Sequence, residues 1–255
     1  GNQIVMILLN YIMTRNKELG RITGKEYIVK TIVTTETIKS IADQNGFKMY
    51  DCYTGFKWIA AVIRDNEGVG RYLGGGEESY GFLAEDFCRD KDAVSAISLM
   101  AEALAWAKTK GMNFLQMLQD IYIKYGYSRE AGVSLVRKGK SGAEEIIAIM
   151  KEFRANPPKQ IAGSDVVIVK DYADLNMKNL KTGEVTKMDM PTTSNVLQYF
   201  TEDGTKISIR PSGTEPKIKF YVEVKGSMKT NADYADANNK ADAKIEAVKK
   251  DLGID

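Results

Sequence analysis

Residues 27–63 read YIVKTIVTTETIKSIADQNGFKMYDCYTGFKWIAAVI, and this stretch decides the fold. Tyr27 to Val33 is rich in β-branched residues and predicts a strand. Thr35 opens a helix with Ile38, Ile41 and Ala42 on one face, and Asn45-Gly46 stops it. Phe47 to Tyr53 predicts a second strand, and Thr54-Gly55-Phe56-Lys57 leads from it into an apolar helix from Trp58 to Ile63. Strand alternating with helix predicts an α/β domain. A loop at a strand end that opens a helix is a favoured place for a ligand.

Upstream of this stretch, Asn2 is a candidate N-cap for a helix to about Lys17, apolar on nearly all sides and stopped by Gly20. Its apolar run ends by Met13, short of the roughly 20 residues a membrane span needs. No basic leader or cleavage site precedes it, and this abrupt entry suggests a piece of a longer protein. Downstream, Arg71 to Leu73 predicts a short strand that runs into a glycine-dense loop, Gly74-Gly-Gly-Glu-Glu-Ser-Tyr-Gly81. Two helices expected in the core follow, from Asp90 to Lys110 and from Asn113 to Tyr125.

The weakly patterned segment from Tyr127 to Lys140 reads as the crossing between two domains, 1–135 and 136–255. Ser141-Gly-Ala-Glu144 is a capping-box signal for a helix to about Arg154. Asp165 to Lys170 predicts a strand, and a loose hairpin is expected around Thr182-Gly183. Asp203-Gly204 marks a tight hairpin between Val196–Thr201 and Lys206–Arg210. From Lys217 to Lys225, Ile218, Phe220, Val222 and Val224 alternate with Lys217, Lys219, Tyr221 and Glu223, which are read as pointing outward. A final helix from about Asn231 to Leu252 completes the expectation. It is an α/β domain with a mixed sheet flanked by helices, followed by a smaller α+β domain with an antiparallel sheet.

Composition limits the chemistry. The 255 residues include 36 basic and 34 acidic ones, so the net charge of +2 points to neither a nucleic-acid nor a membrane-surface partner. There is no histidine, which removes a Ser-His pair, histidine-ligated zinc and a histidine base together. Two cysteines, Cys52 and Cys88, suit buried free thiols in a reducing, cytoplasmic compartment.

Two loops carry candidate chemistry. Arg210-Pro-Ser-Gly-Thr-Glu-Pro216 sets a guanidinium fork, two hydroxyls (Ser212 and Thr214) and the open backbone of Gly213 within five positions, which suits a phosphate dianion. Lys219 on the next strand adds charge at the rim. In the glycine-dense loop, Glu77 and Ser79 are of the kind that binds neighbouring sugar hydroxyls, because one carboxylate can accept from two O–H groups. A plain proline-glycine turn is the alternative for the first loop, against which stands Arg210 at a strand end on the solvent face, and by composition alone a solvated acidic loop is the simpler reading of the second. Facing carboxylates for glycoside hydrolysis are a weaker option, since neighbours such as Glu77 and Glu78 point apart. Lys57 and Lys91 each precede a helix, and Lys91 follows the Glu loop.

The strings TGFKWI, GGEESYGF followed by RDKDAV, and RPSGTEPKIKFYVE resemble the C-terminal half of the α-D-phosphohexomutases, the phosphoglucomutase and phosphomannomutase superfamily. The resemblance runs over nearly the whole chain and implies the family's domains 3 and 4. It further implies that Glu77 and Ser79 contact sugar hydroxyls and that Thr54 and Lys57 line the sugar-phosphate site. By the same resemblance Arg210, Ser212, Gly213 and Thr214 hold the non-reacting phosphate, with Lys219 in support and Lys91 as candidate acid/base. The implied reaction of the parent interconverts hexose 1-phosphate and hexose 6-phosphate through a bisphosphorylated sugar, using a phosphoserine and magnesium. No string here resembles the family's serine or magnesium loop, so those are expected in N-terminal domains of the same parent. No metal is expected on this chain. A stand-alone sugar-phosphate-binding module, or a mutase for pentose or amino-sugar phosphates, are the alternatives.

Overall fold

In the computed structural model, β1 (Glu26–Thr31) is the hub of the first unit, running parallel to β2 (Lys48–Cys52) and to β3 (Arg71–Gly76). β4 (Phe82–Ala84) returns antiparallel along β3, pairing Gly74 with Ala84 and Gly76 with Phe82, so the sheet order is β2-β1-β3-β4. Every residue of β1 is buried, as an interior strand with both faces covered requires. On one face α3 (Phe56–Asp65) packs Phe56, Ile59 and Ile63 against Tyr27, Val29, Tyr72 and Leu83. α1 (Asn2–Glu18) packs against β3, α2 (Thr37–Asn45) and α5 (Phe114–Tyr125). The structure describes residues 1–137, 139–213 and 215–254, without the side chain of Lys140.

Lys30 is wholly buried, yet its ammonium lies 2.7 Å from Asp51 and 3.0 Å from Glu36. Burial disfavours its charge, but the two carboxylates outweigh burial and hold its pKa above the ordinary lysine value. This triad ties β1 to β2 and to the start of α2.

Several local expectations differ from the structure. Gly1, not Asn2, is the N-cap of α1; the Asn2 carboxamide oxygen instead accepts from Thr35 N–H at 3.0 Å. α4 (Ala93–Thr109), expected in the core, buries only Ala103 and Ala107, while Val94 and Ile97 are 75% and 69% exposed. It meets the unit through these alanines, Glu102, which accepts from Tyr11 at 2.7 Å, and Trp106, whose ring packs edge-on against Tyr11, while Val94 and Ile97 turn outward.

The segment read as a crossing is β5 (Tyr127–Val136), because it is hydrogen-bonded into the second sheet beside the last strand. By contacts the second unit accordingly starts at Ser128 and runs to Gly226, resuming at Asp236; residues Ser227–Ala235 belong to the first. α6 (Gly139–Ala155) begins ahead of Ser141, which therefore lies inside the helix instead of capping it.

The second sheet is built from β7 (Ser164–Asp171), β8 (Asn176–Asn179), β9 (Val185–Lys187), β10 (Leu197–Thr201), β11 (Lys206–Pro211) and β12 (Lys217–Gly226). With β5 the order is β5-β12-β11-β10-β7-β8-β9, and β6 (Gln160–Ile161) pairs with β7. The 7–8, 8–9, 7–10, 10–11 and 11–12 pairings are all antiparallel. α6 covers one face, its Phe153 ring packing on Phe220 and Tyr199. α7 (Tyr234–Leu252) buries Ala237, Ala241, Ile245 and Val248 at helical spacing. Among the described residues no helix is long and apolar enough to cross a membrane.

Asp203 fixes the β10–β11 turn. Its carboxylate accepts from Thr201 Oγ1 at 2.7 Å and from Thr205 N and Oγ1 at 3.2 and 2.9 Å, and pairs with Lys244 of α7. Burial alone would raise its pKa, but Lys244 and the Thr201 and Thr205 donors outweigh it and bring the carboxyl down to about 2. A depressed carboxyl stabilises above its unfolded value and loses that contribution as pH falls through the folded one. Asp203→Asn is therefore expected to cost about 1 kcal/mol at neutral pH, after allowance for its partial exposure. The difference from wild type should close between about pH 4 and pH 2 in urea titrations.

Candidate functional site

In the first unit the β3–β4 turn and the loop after β2 come together with Lys91. The glycines at 74–76 are strand residues and not a loose loop. A Cβ on Gly75 would lie 2.3 Å from the Val29 carbonyl, so the backbone of β3 sits where a side chain cannot. The turn itself is Glu77 to Gly81, closed by Glu77 N–H donating to the Gly81 carbonyl at 2.9 Å.

Glu77 is buried, and its Oε1 accepts from the Gly55 N–H at 2.5 Å, clamping the turn to the loop that opens α3. Glu78 turns the other way, with Thr31 Oγ1 at 3.5 Å from its Oε2. Glu77 thus reaches the loop after β2, and Glu78 the end of β1. Gly81 has no room for a side chain, since a Cβ would meet the Phe56 ring at 2.6 Å and Glu77 Oε2 at 3.2 Å.

Phe56 is the shared neighbour of these parts. Lys91 Nζ lies 5.8 Å from its ring centroid and 3.2 Å from Asp90 Oδ1. The Asp90 carboxyl is held below its usual range, first by the Lys91 backbone N–H and then by the Lys91 side chain. Asp92 caps α4, accepting from Val94 and Ser95 N–H at 3.1 Å each, and this fixes the backbone beside Lys91. Ser79 and Lys57 are exposed and Thr54 is half-buried; Lys57 Nζ lies 5.3 Å from the Trp58 ring centroid. Cys52 is a buried thiol pushed up to about 12, by desolvation first and then by Asp51 and Glu77. It stays protonated and is no nucleophile.

In the second unit, β11 and β12 carry a polar ladder on one face, with Lys206 opposite Glu223, Ser208 opposite Tyr221 and Arg210 opposite Lys219. At its far end the charges match: Lys206 Nζ is 3.2 Å from Glu223. Glu223, read from alternation as outward-pointing, is buried, because both faces of β11 are covered along Lys206–Ile209. At the near end two cations face each other. Arg210 and Lys219 are half-buried, neither is ion-paired with a carboxylate among the described residues, and Lys219 Nζ lies 5.9 Å from the Tyr221 ring centroid.

The loop beyond Arg210 is held by Ser212 N–H to the Lys217 carbonyl at 2.8 Å and by Glu215 N–H to Ser212 Oγ at 3.2 Å. Arg137 N–H donates to the Pro216 carbonyl at 2.8 Å and braces it from the side. Gly213 is exposed, and Thr214 lies outside the described residues.

The structure thus gathers Thr54, Lys57, Glu77, Ser79 and Lys91 in the first unit, and Arg210, Ser212, Gly213 and Lys219 in the second. Sequence reasoning missed Gly55, Phe56, Thr31 and Arg137 as supports. Phe56 stood inside a quoted motif; Thr31 and Arg137 carried no local signal.

Two models of one family match the chain. "Phosphoglucomutase/phosphomannomutase, alpha/beta/alpha domain III" matches residues 1–125, and "Phosphoglucomutase/phosphomannomutase, C-terminal domain" matches residues 148–241. A phosphoglucomutase of Staphylococcus aureus (strain bovine RF122 / ET3-1) is 37% identical over 225 residues, 88% of this chain and 40% of the relative's own length. The chain therefore spans about two fifths of the curated relatives it matches. Among solved structures, the open form of pp63/parafusin, a phosphoglucomutase from Paramecium, aligns over 98% of this chain and 41% of its own, with TM-score 0.58 and 18% identity. A putative phosphomannomutase from Thermus thermophilus aligns over 99% and 40%, with TM-score 0.59 and 16% identity. At such identities these two speak for the fold alone. The motifs, both sheets and both family models agree: the chain belongs to the phosphoglucomutase/phosphomannomutase family, of which it carries domain III and the C-terminal domain.

Proposed function

We propose that this chain supplies the sugar- and phosphate-recognising parts of a hexose-phosphate mutase. The observation that carries the reading is the facing of Arg210 and Lys219 across β11 and β12, while Glu215, on whose charge Lys219 acts only at a distance, is ion-paired with Lys217. Like charges directly opposite are unfavourable in a ladder, and a phosphate dianion bound there converts the repulsion into two attractions. The guanidinium fork takes two oxygens, Lys219 adds charge, and Ser212, Gly213 and Thr214 supply hydroxyl and backbone donors.

In the first unit Glu77 Oε2 and Ser79 are assigned to sugar hydroxyls, and Thr54 and Lys57 to the sugar-phosphate end. Because Glu77 Oε1 is already engaged by Gly55, this acid takes hydroxyls through its other oxygen. Lys91 is assigned as acid/base. The parent reaction is taken as hexose 1-phosphate to hexose 6-phosphate through a hexose bisphosphate, for which positioning and charge stabilisation are the protein's main task. Among the described residues no three acidic or thiol side chains gather as a metal site. Magnesium and the reactive serine are assigned to the parent's N-terminal domains, and no step is derived through them. Turnover by these 255 residues alone is not expected. Two unpaired cysteines suit the cytoplasm.

The test is calorimetric titration of the chain with glucose 1-phosphate, glucose 6-phosphate, mannose, ribose and glucosamine phosphates and inorganic phosphate, beside a mutase assay. Binding of hexose phosphates without turnover is expected. Turnover by the chain would refute its incompleteness. Preference for the ribose or glucosamine ester would move the assignment to those sugars, and silence toward every phosphate would end it.

A further inference from the structure

The backbone at the tip of the β3–β4 turn is fixed from several sides. Glu77 N–H bonds the Gly81 carbonyl, the Glu77 carboxylate holds Gly55, and the Phe56 ring abuts Gly81. Gly1 closes the remaining side: a Cβ there would lie 1.8 Å from the Glu78 carbonyl oxygen and 2.8 Å from Tyr80 N. This frame leaves residue 80 at φ 72°, the left-handed region that favours glycine. Glycine is absent there. The chain carries tyrosine, the bulkier and sterically costlier choice, and does not use the ring for packing, since Tyr80 is 74% exposed. Its hydroxyl has no hydrogen-bond partner among the described residues. A bulky side chain kept at a strained position without stabilising the fold points to a role outside the fold.

We propose that Tyr80 is a further sugar-binding residue whose ring forms a platform for the C–H face of the hexose, beside the hydroxyl contacts of Glu77 and Ser79. This rests on the hexose-phosphate reading. A sugar ring offers an apolar C–H face and a rim of hydroxyls, and an aromatic platform takes the face while carboxylate and hydroxyl take the rim. Such a contact is tolerant of in-plane rotation. It therefore serves a ligand presented in two orientations, as 1-phosphate and as 6-phosphate, equally well.

The test compares wild-type chain with Tyr80→Gly and Tyr80→Phe in melting temperature and in calorimetric affinity for glucose 1-phosphate, glucose 6-phosphate and inorganic phosphate. Tyr80→Gly is expected to melt at or above the wild-type temperature, since it relieves the left-handed backbone. It should bind both hexose phosphates roughly tenfold more weakly and inorganic phosphate unchanged. Tyr80→Phe should match wild type. Unchanged hexose-phosphate affinity in Tyr80→Gly overturns the proposal, as does a lowered melting temperature, which would make the ring structural. A wild-type chain that binds inorganic phosphate but neither ester removes the reading beneath the proposal, a result distinct from either of these.

Discussion

Arg210→Gln is expected to weaken hexose-phosphate binding by roughly 10–100-fold while leaving the second unit as stable as before or slightly more so. The loss follows from removing charged hydrogen bonds to phosphate, each worth about 1.5–3 kcal/mol. The gain follows from the ladder: without its guanidinium, Lys219 no longer faces a like charge across β11 and β12, a relief of some tenths of a kcal/mol. Arg210→Lys separates charge from geometry, because an ammonium keeps the charge but not the planar fork. It should recover part of the affinity and none of the stability gain. Parallel calorimetry and urea titration read both effects. A Gln variant that binds as tightly as wild type would show that Arg210 is a structural turn residue after all.

Glu223→Ala is expected to be the most destabilising single change, at about 3–5 kcal/mol. Lys206 and Glu223 have side-chain exposures of 1% and 3% and lie 3.2 Å apart. Lys225 pairs with the same carboxylate at 2.5 Å. Removing Glu223 takes the shared carboxylate from the buried Lys206 and from the partly exposed Lys225, and the cost is that of breaking a buried ion pair by one partner. Lys206→Met with Glu223→Leu, which removes both charges and keeps the volume, should recover most of the stability, because well-packed apolar replacements of buried pairs are often neutral or better. Denaturation monitored separately for the two units is the measurement. A single variant that loses less than about 1 kcal/mol would mean the pair is effectively solvated.

Alternation in β12 named Ile218, Phe220, Val222 and Val224 as inward, and all four are buried. It could not show that Glu223 is buried too, because a period of two distinguishes the faces of a strand without revealing whether both are covered. The same holds for α4: its apolar composition is that of a buried helix, yet docking through Ala103 and Ala107 turns Val94 and Ile97 outward. Segment 127–136 looked unpatterned because its strand is set by pairing with β12, which lies far along the chain.

For the candidate site, the residue types of the Glu77 turn, the Thr54 loop and the Arg210 loop were legible, since glycine, proline and paired donors act locally. By itself the sequence determined most strands and helices of each unit, though not β4 or β5, together with the Asp203-Gly204 turn and the loops that hold polar groups suited to a sugar phosphate. Only the tertiary structure decided that Glu77 clamps Gly55 while Glu78 turns to Thr31, that the glycines of β3 are packed strand residues, and that Arg210 faces Lys219 across β11 and β12. The physical reason is that propensity and period are properties of a few neighbouring residues. Register, burial of a second face and the meeting of loops depend on contacts between segments far apart in the chain.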